Sequence, residues 1–161
     1  MRQSSNATTA IRESYRATNQ VLGEGAYGKV FLFKSKAVGD DKNYAVKVLL
    51  KELMPERAVE MIREEISVLS MMDHPNIIKY VESFEDQRYM YIVTEYVESS
   101  RDLSDILQQA TENWDTNTPL FPLDDVRKLM KMVLSGVTHM HANGVVHRDL
   151  KTANCLLDDN M

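Results

Sequence analysis

Val145-Val146-His147-Arg148-Asp149-Leu150-Lys151-Thr152-Ala153-Asn154 places a carboxylate, an ammonium and a carboxamide within one short stretch, at positions 149, 151 and 154. Such a set suits a loop that accepts a hydroxyl proton, neutralises phosphate and offers an oxygen to a hard cation. Alone, the stretch reads equally as a polar loop. Its flanks give it a place. Cys155-Leu156-Leu157 behind it is a short apolar strand, and Asn143-Gly144 ahead of it closes a helix. That helix spans 123–142: Val126, Leu129, Met130, Val133, Leu134, Val137 and Met140 recur three or four apart, with Asp124 and Asp125 at its positive end. Further upstream, 111–122 holds Asn, Thr and two prolines and predicts a surface loop, and 102–109 predicts a short helix.

Before residue 98 the period changes from helical to alternating. Val21-Leu22 and Val30-Phe31-Leu32-Phe33 predict a hairpin, 44–50 a third strand, and 77–84 and 89–97 two more. Gly39-Asp40-Asp41-Lys42-Asn43 is turn chemistry. One helix interrupts the strands, starting at Pro55 and running to about Met72, where His74-Pro75-Asn76 stops it. The hairpin carries Gly23-Glu24-Gly25-Ala26-Tyr27-Gly28, with Val30 following. Glycines at this spacing let a phosphate approach main-chain N–H groups, although the pattern alone also fits a plain glycine hairpin. Dinucleotide binding fits poorly, because that version must open a helix and here a second strand follows.

Lys47 shares a strand face with Ala45 and Leu49 by the two-residue period. It either snorkels outward or is held by anionic partners. On the 55–72 helix, Val59, Ile62, Ile66, Leu69 and Met72 form one stripe; Glu65 falls roughly 50° from its centre and Glu64 roughly 150° away. A carboxylate at the edge of a buried face needs a counter-ion, so Glu65 is expected to pair with Lys47.

Together these motifs resemble the protein kinase family: G-x-G-x-x-G-x-V over 23–30, a V-A-I-K-like Tyr44-Ala45-Val46-Lys47, and H-R-D-L-x-x-x-N ending at Asn154. The resemblance covers about 20–161. It implies an α+β fold, with a kinase-like N-lobe (a five-stranded antiparallel sheet plus one helix) over 20–97. The first helices of a truncated helical C-lobe would follow over 98–161. It implies ATP and Mg²⁺ as cofactors and a protein Ser/Thr hydroxyl as substrate. The glycine loop, Gly23 to Gly28, and Val30 would cover the nucleotide. Lys47 would hold the phosphates and pair with Glu65. Ala45, Thr94, Glu95 and Val97 would surround the adenine, and Asp102 would reach the ribose. Asp149 would orient the substrate hydroxyl, Lys151 steady the γ-phosphate and Asn154 hold the metal. Lys151 looks like the serine/threonine branch. His74-Pro75-Asn76-Ile77-Ile78, Ser83-Phe84-Glu85-Asp86 and 133–138 resemble calcium/calmodulin-type and calcium-dependent kinases.

Some features depart from the pattern. Glu98-Ser99-Ser100-Arg101 replaces a glycine pair, which bears on the placement of Asp102, and Thr152 stands where many relatives have proline. Cys155 reads as a strand cysteine or as a reactive thiol. The D-F-G element does not occur in the 161 residues, so phosphoryl transfer by this chain alone is expected to be negligible. The alternative is a non-catalytic ATP-binding or regulatory pseudokinase-like interaction module. The apolar stripe of the 123–142 helix is expected to be partly exposed and to invite association.

Bulk properties agree with a globular chain: 43% hydrophobic, 27% charged, net charge −5. That mild acidity gives no pull toward nucleic acid or anionic membrane. One cysteine excludes an intrachain disulfide, and a reducing, cytoplasmic (intracellular) setting is the default expectation. Residues 1–19 are rich in Ser, Thr, Asn and Arg and are expected to form a disordered tail, with only a faint likeness to an organelle transit peptide.

Overall fold

The structure is a computed structural model that describes residues 2–3, 6–98, 101–112, 114–115 and 119–158. Two compact units divide the chain: 1–73 with 78–96, and 74–77 with 97–161.

The first unit is built on a sheet. Its strands are β1 (Arg2–Gln3), β2 (Tyr15–Gly25), β3 (Gly28–Ser35), β4 (Asn43–Leu50), β5 (Tyr80–Glu85) and β6 (Tyr89–Glu95), in the spatial order β1-β5-β6-β4-β3-β2. The five longer strands are antiparallel, as the alternating pattern predicted; β1 adds a short parallel edge beside β5. Alternation sorts the side chains into two layers. One holds Tyr15, Phe33, Val46, Phe84, Tyr91 and Val93; the other holds Leu49, Met90 and Ile92 with Met54. Helix α2 (Glu56–Leu69) closes the second layer with Val59, Ile62 and Ile66.

The first layer is closed by an element that the sequence reading did not foresee. Residues 1–19 are not a tail throughout: Ala7–Ser14 form helix α1, and β2 already begins at Tyr15. Asn6 caps α1, its Oδ1 accepting the Thr9 N–H at 3.0 Å. Ala7 and Ile11, one helical turn apart, are fully buried against the sheet. Burying Ile11 alone removes a side chain worth about 2 kcal/mol from water. Docking, more than intrinsic propensity, therefore holds so short a helix.

One buried carboxylate ties the second layer together. Glu85, at the end of β5, is 4% exposed. It accepts two bonds from Arg63 of α2, at 2.6 and 3.1 Å, and one from Lys51 at 2.7 Å. Lys51 opens a 3-10 turn (Lys51–Leu53) directly after β4, and its ammonium also donates to the Asp86 carbonyl at 2.9 Å. Burial pushes the Glu85 carboxyl up, but the Arg63 and Lys51 bonds overcome this and hold it below its ordinary value.

In the second unit, β7 (Arg101–Asp102) pairs with β8 (Leu156–Leu157), α3 covers Leu103–Glu112, and α4 covers Leu123–Ala142. Helix α3 runs past the expected stop at 109. The 74–77 segment, read as part of the sheet region from Ile77 on, belongs here instead. His74 Nδ1 accepts the Asn76 N–H at 3.0 Å, and His74 Nε2 lies 3.0 Å from Ser135 Oγ on α4. Gly136 lets the two approach: a Cβ there would sit 3.1 Å from the Asn76 carbonyl oxygen. It is the one buried residue of α4; Leu123, Val126, Met130 and Leu134 are all exposed among the described residues. No helix of the described residues is long and apolar enough to cross a membrane.

Glu85→Gln should cost about 2 kcal/mol at pH 7, below the full value for a buried pair because Arg63 reaches solvent. A carboxyl with a depressed folded pKa contributes stability above its unfolded value, and loses that contribution as pH falls through the folded value. Urea unfolding at pH 7 and at pH 3 should therefore show the gap between wild type and variant shrinking in acid. A gap that is constant with pH would refute the ion-pair origin.

Candidate functional site

In the first unit the strand register gathers most of the expected nucleotide-side residues on one sheet face. Gly23 lies opposite Val30, Val30 opposite Lys47 and Lys47 opposite Ile92. Ala45 lies opposite Thr94, whose hydroxyl donates to the Ala45 carbonyl at 3.4 Å. Directly opposed residues share a face, and this is the face on which α2 packs. Glu95 is held at the end of β6 by two bonds to Lys79: its N–H donates to the Lys79 carbonyl at 2.9 Å, and its Oε1 accepts the Lys79 N–H at 2.7 Å.

The three glycines of the loop do different work. β2 and β3 meet at Gly25 and Gly28, with Ala26 and Tyr27 in the turn. A Cβ on Gly28 would fall 1.9 Å from the Val48 carbonyl oxygen, so this glycine is demanded by the packing of β3 on β4. A Cβ on Gly23 would meet nothing within 4 Å, and one on Gly25 only the Gly28 carbonyl at 3.8 Å. The fold does not require glycine at either position, and the space beside them is open to a ligand. Tyr27 packs against the Leu49–Met90 layer, and Glu24 bridges to Lys29 at 3.1 Å.

Lys47 and Glu65 do not meet as expected. Both side chains are exposed, and no ion pair joins them among the described residues. The stripe angle placed Glu65 at the edge of a buried face, but the side chain reaches water there, so desolvation does not force a partner on it. The buried carboxylate of this layer is Glu85, and Lys51 and Arg63 are its cations.

In the second unit the quoted loop converges on Asp149. Lys151 Nζ sits 2.9 Å from Asp149 Oδ2; Asn154 Nδ2 donates to that same oxygen at 3.1 Å and to the Asp149 carbonyl at 2.7 Å. His147 Nδ1 accepts the Asp149 N–H at 3.2 Å. Arg148 adopts φ 65°, a left-handed conformation uncommon for a residue with a side chain, which turns the backbone sharply just before Asp149. The Lys151 and Asn154 bonds hold the Asp149 carboxyl below the usual carboxylate range, so it is ionised at neutral pH. Asp149 Oδ1 and Asn154 Oδ1 have no protein partner among the described residues. They are the atoms that could take a hydroxyl proton and a hard cation.

Asp102 caps α3, its Oδ1 accepting the Asp105 N–H at 2.9 Å. Val97 is half-buried at the start of the second unit's main segment. Cys155 is half-buried, its Sγ 3.6 Å from the Lys151 carbonyl oxygen. Sequence reading missed Glu85, Arg63 and Lys51 as a cluster, because no local spacing links residues so far apart in the chain.

Known proteins share this sequence pattern and this fold. The protein kinase domain family model matches residues 16–161. Calcium-dependent protein kinase 4 of Plasmodium berghei is 36% identical over 154 residues, covering 95% of this chain and 27% of that protein. Calcium/calmodulin-dependent protein kinase type 1 of Caenorhabditis briggsae is 37% identical over 150 residues, covering 92% of this chain and 38% of that one. This chain therefore spans well under half of either relative. The crystal structure of Rad53 in complex with AMP-PNP superposes with a TM-score of 0.70 at 27% identity, covering 89% of this chain and 34% of the other.

Gly28→Ala should lower stability by about 1–3 kcal/mol through overpacking, whereas Gly23→Ala should leave the urea midpoint near wild type. Equal losses for the two variants would refute the division of roles among the glycines.

Proposed function

The chain belongs to the protein kinase domain family, and from that premise we propose that it binds ATP with Mg²⁺ and serves phosphoryl transfer to a Ser or Thr hydroxyl of a protein substrate. The observation that carries this reading is the Asp149 cluster: an ionised carboxylate with one oxygen engaged by Lys151 and Asn154 and the other unengaged. Support for the serine/threonine branch comes from Lys151 and from the names of the related kinases.

Bound ATP with Mg²⁺ supplies the γ-phosphoryl group. Gly23 and Gly25 leave room for phosphate oxygens to reach backbone N–H groups. Lys47, beside Val30 in register, offers the ammonium for the α- and β-phosphates, with Glu65 recruited to it on binding. Ala45 and Thr94 form the adenine wall, with backbone groups of Glu95 and Val97 at the edge of the base. Asp102 keeps one carboxylate oxygen for the ribose while the other caps α3. Asp149 Oδ1 would accept the hydroxyl proton as that oxygen bonds to the γ-phosphorus and the γ-phosphorus–β-oxygen bond breaks, with ADP as the leaving group. Lys151, now on Asp149 Oδ2, would neutralise the phosphoryl oxygens, and Asn154 Oδ1 would hold the cation.

Among the described residues no three carboxylate, imidazole or thiolate groups gather as a metal site. Asn154 and the phosphates themselves would then carry most of the Mg²⁺ binding, which favours weak transfer by residues 1–161. The unpaired state of Lys47 and Glu65 supports a second reading, an ATP-binding regulatory module that does no chemistry. In either case the exposed stripe Leu123, Val126, Met130 and Leu134 on α4 is a surface for association.

Thermal unfolding of residues 1–161 with millimolar ATP should show a raised Tm, more so with Mg²⁺. Lys47→Met should weaken the apparent affinity by about tenfold, the value of one charge-assisted contact, and Asn154→Ala should remove the Mg²⁺ increment. No shift with ATP under either condition would sink both readings.

A further inference from the structure

Residues 2–3 and 6–14 take no part in the chemistry proposed above, yet they are fastened to one place, the corner between β5 and β6. Strand β1 pairs with β5 at Phe84 and Glu85. Helix α1 points its first N–H at this corner, Ala7 donating to Asp86 Oδ2 at 2.8 Å. The other oxygen of Asp86 accepts the N–H groups of Arg88 and Tyr89, both at 2.8 Å. At the next residue Thr8 Oγ1 meets the Tyr91 hydroxyl at 2.9 Å, and one turn of helix on from Ala7, Ile11 is buried against the same layer as Phe84, Tyr91 and Val93.

The same corner also anchors α2, from the opposite face of the sheet. Asp86 follows Glu85, which receives both bonds of Arg63. Lys51 joins the two residues, donating to Glu85 Oε1 and to the Asp86 carbonyl. A rotation of the Asp86 peptide would carry away the carbonyl that Lys51 holds. Lys51 could follow it only by loosening Glu85, and Glu85 could move only by loosening Arg63. A buried carboxylate tolerates little of this, because each lost donor leaves charge in a dry layer.

We propose that the N-terminal segment is a regulatory clip: its docking on the β5–β6 corner fixes α2, and with it Glu65, through Asp86, Lys51, Glu85 and Arg63. A partner or modification that undocks α1 would loosen α2 without touching the glycine loop or the Asp149 cluster. The consequence for nucleotide affinity rests on the ATP reading above; the coupling between α1 and α2 does not.

The test is hydrogen exchange on residues 1–161 in four forms: wild type, Ile11→Asp, Arg63→Met and the double variant, with circular dichroism to show that each is folded. Ile11→Asp should speed exchange of the 56–69 amides by about tenfold in the wild-type background and have little further effect beside Arg63→Met. Loss of protection confined to 7–14 and the sheet would overturn the proposal, and so would independent, multiplying effects in the double variant. If Ile11→Asp fails to fold, Thr8→Val replaces it under the same criteria, with an effect of about threefold expected. ATP affinity of the same variants is read separately. Coupled exchange with unchanged ATP affinity would uphold the clip and count against the placement of Lys47 and Glu65 at the phosphates.

Discussion

A carboxylate taken out of water must be matched by cations and N–H donors, and in this molecule Glu85 sets that requirement. Its three bonds come from the exit of β4 and from the middle of α2, while Glu85 itself ends β5. The path of the chain from Leu50 through the 3-10 turn into α2 is therefore constrained at both ends. Apolar packing of Val59, Ile62 and Ile66 supplies most of the driving force for that helix, but it is nearly indifferent to small slides along the sheet. The directional bonds to Glu85 select one position among those slides. That position in turn determines where Glu65 stands relative to the face that carries Val30, Lys47 and Thr94.

Much of this was legible in the sequence, and the reasons are particular. Strand β4 reads directly because Tyr44, Val46 and Val48 alternate with Ala45, Lys47 and Leu49, and the two sets fall on opposite faces. The Asp149 loop reads because its three functional groups are close in sequence, so local spacing already brings them together. Features that rest on distant partners did not read. Glu85 and Asp86 fell between the strands predicted over 77–84 and 89–97; burial of the first depends on Arg63 and Lys51, 22 and 34 positions away. Helix α1 fully buries only Ala7 and Ile11, with Ala10 partly covered and the rest polar, so composition pointed to a tail. Its one local signal was Asn6, whose side chain caps Thr9.

The expected pair of Lys47 and Glu65 failed for a related reason. A helical-wheel angle shows which side of a helix a residue takes, but it does not show how far the neighbouring surface extends beyond it. Glu65 lies where the covered face ends, and water does what Lys47 was expected to do. Asp102 has a local role of its own. Its spacing from Asp105 is a helix start, and one oxygen is already committed to that cap.

The assignment of 74–77 to the second unit has a consequence for the order in which the chain can mature. The backbone leaves the first unit after Asp73 and rejoins it at Ile78, so a cut after Tyr96 frees that unit only with 74–77 still attached. A chain made from its N-terminus emerges with β5 and β6 ready to add to the sheet before α4 exists. Until Ser135 and Gly136 are synthesised, His74 and Asn76 have no helix to rest on. The sheet can form early, β5 and β6 included; what waits is the 74–77 segment, because Ser135 lies 61 positions downstream of His74.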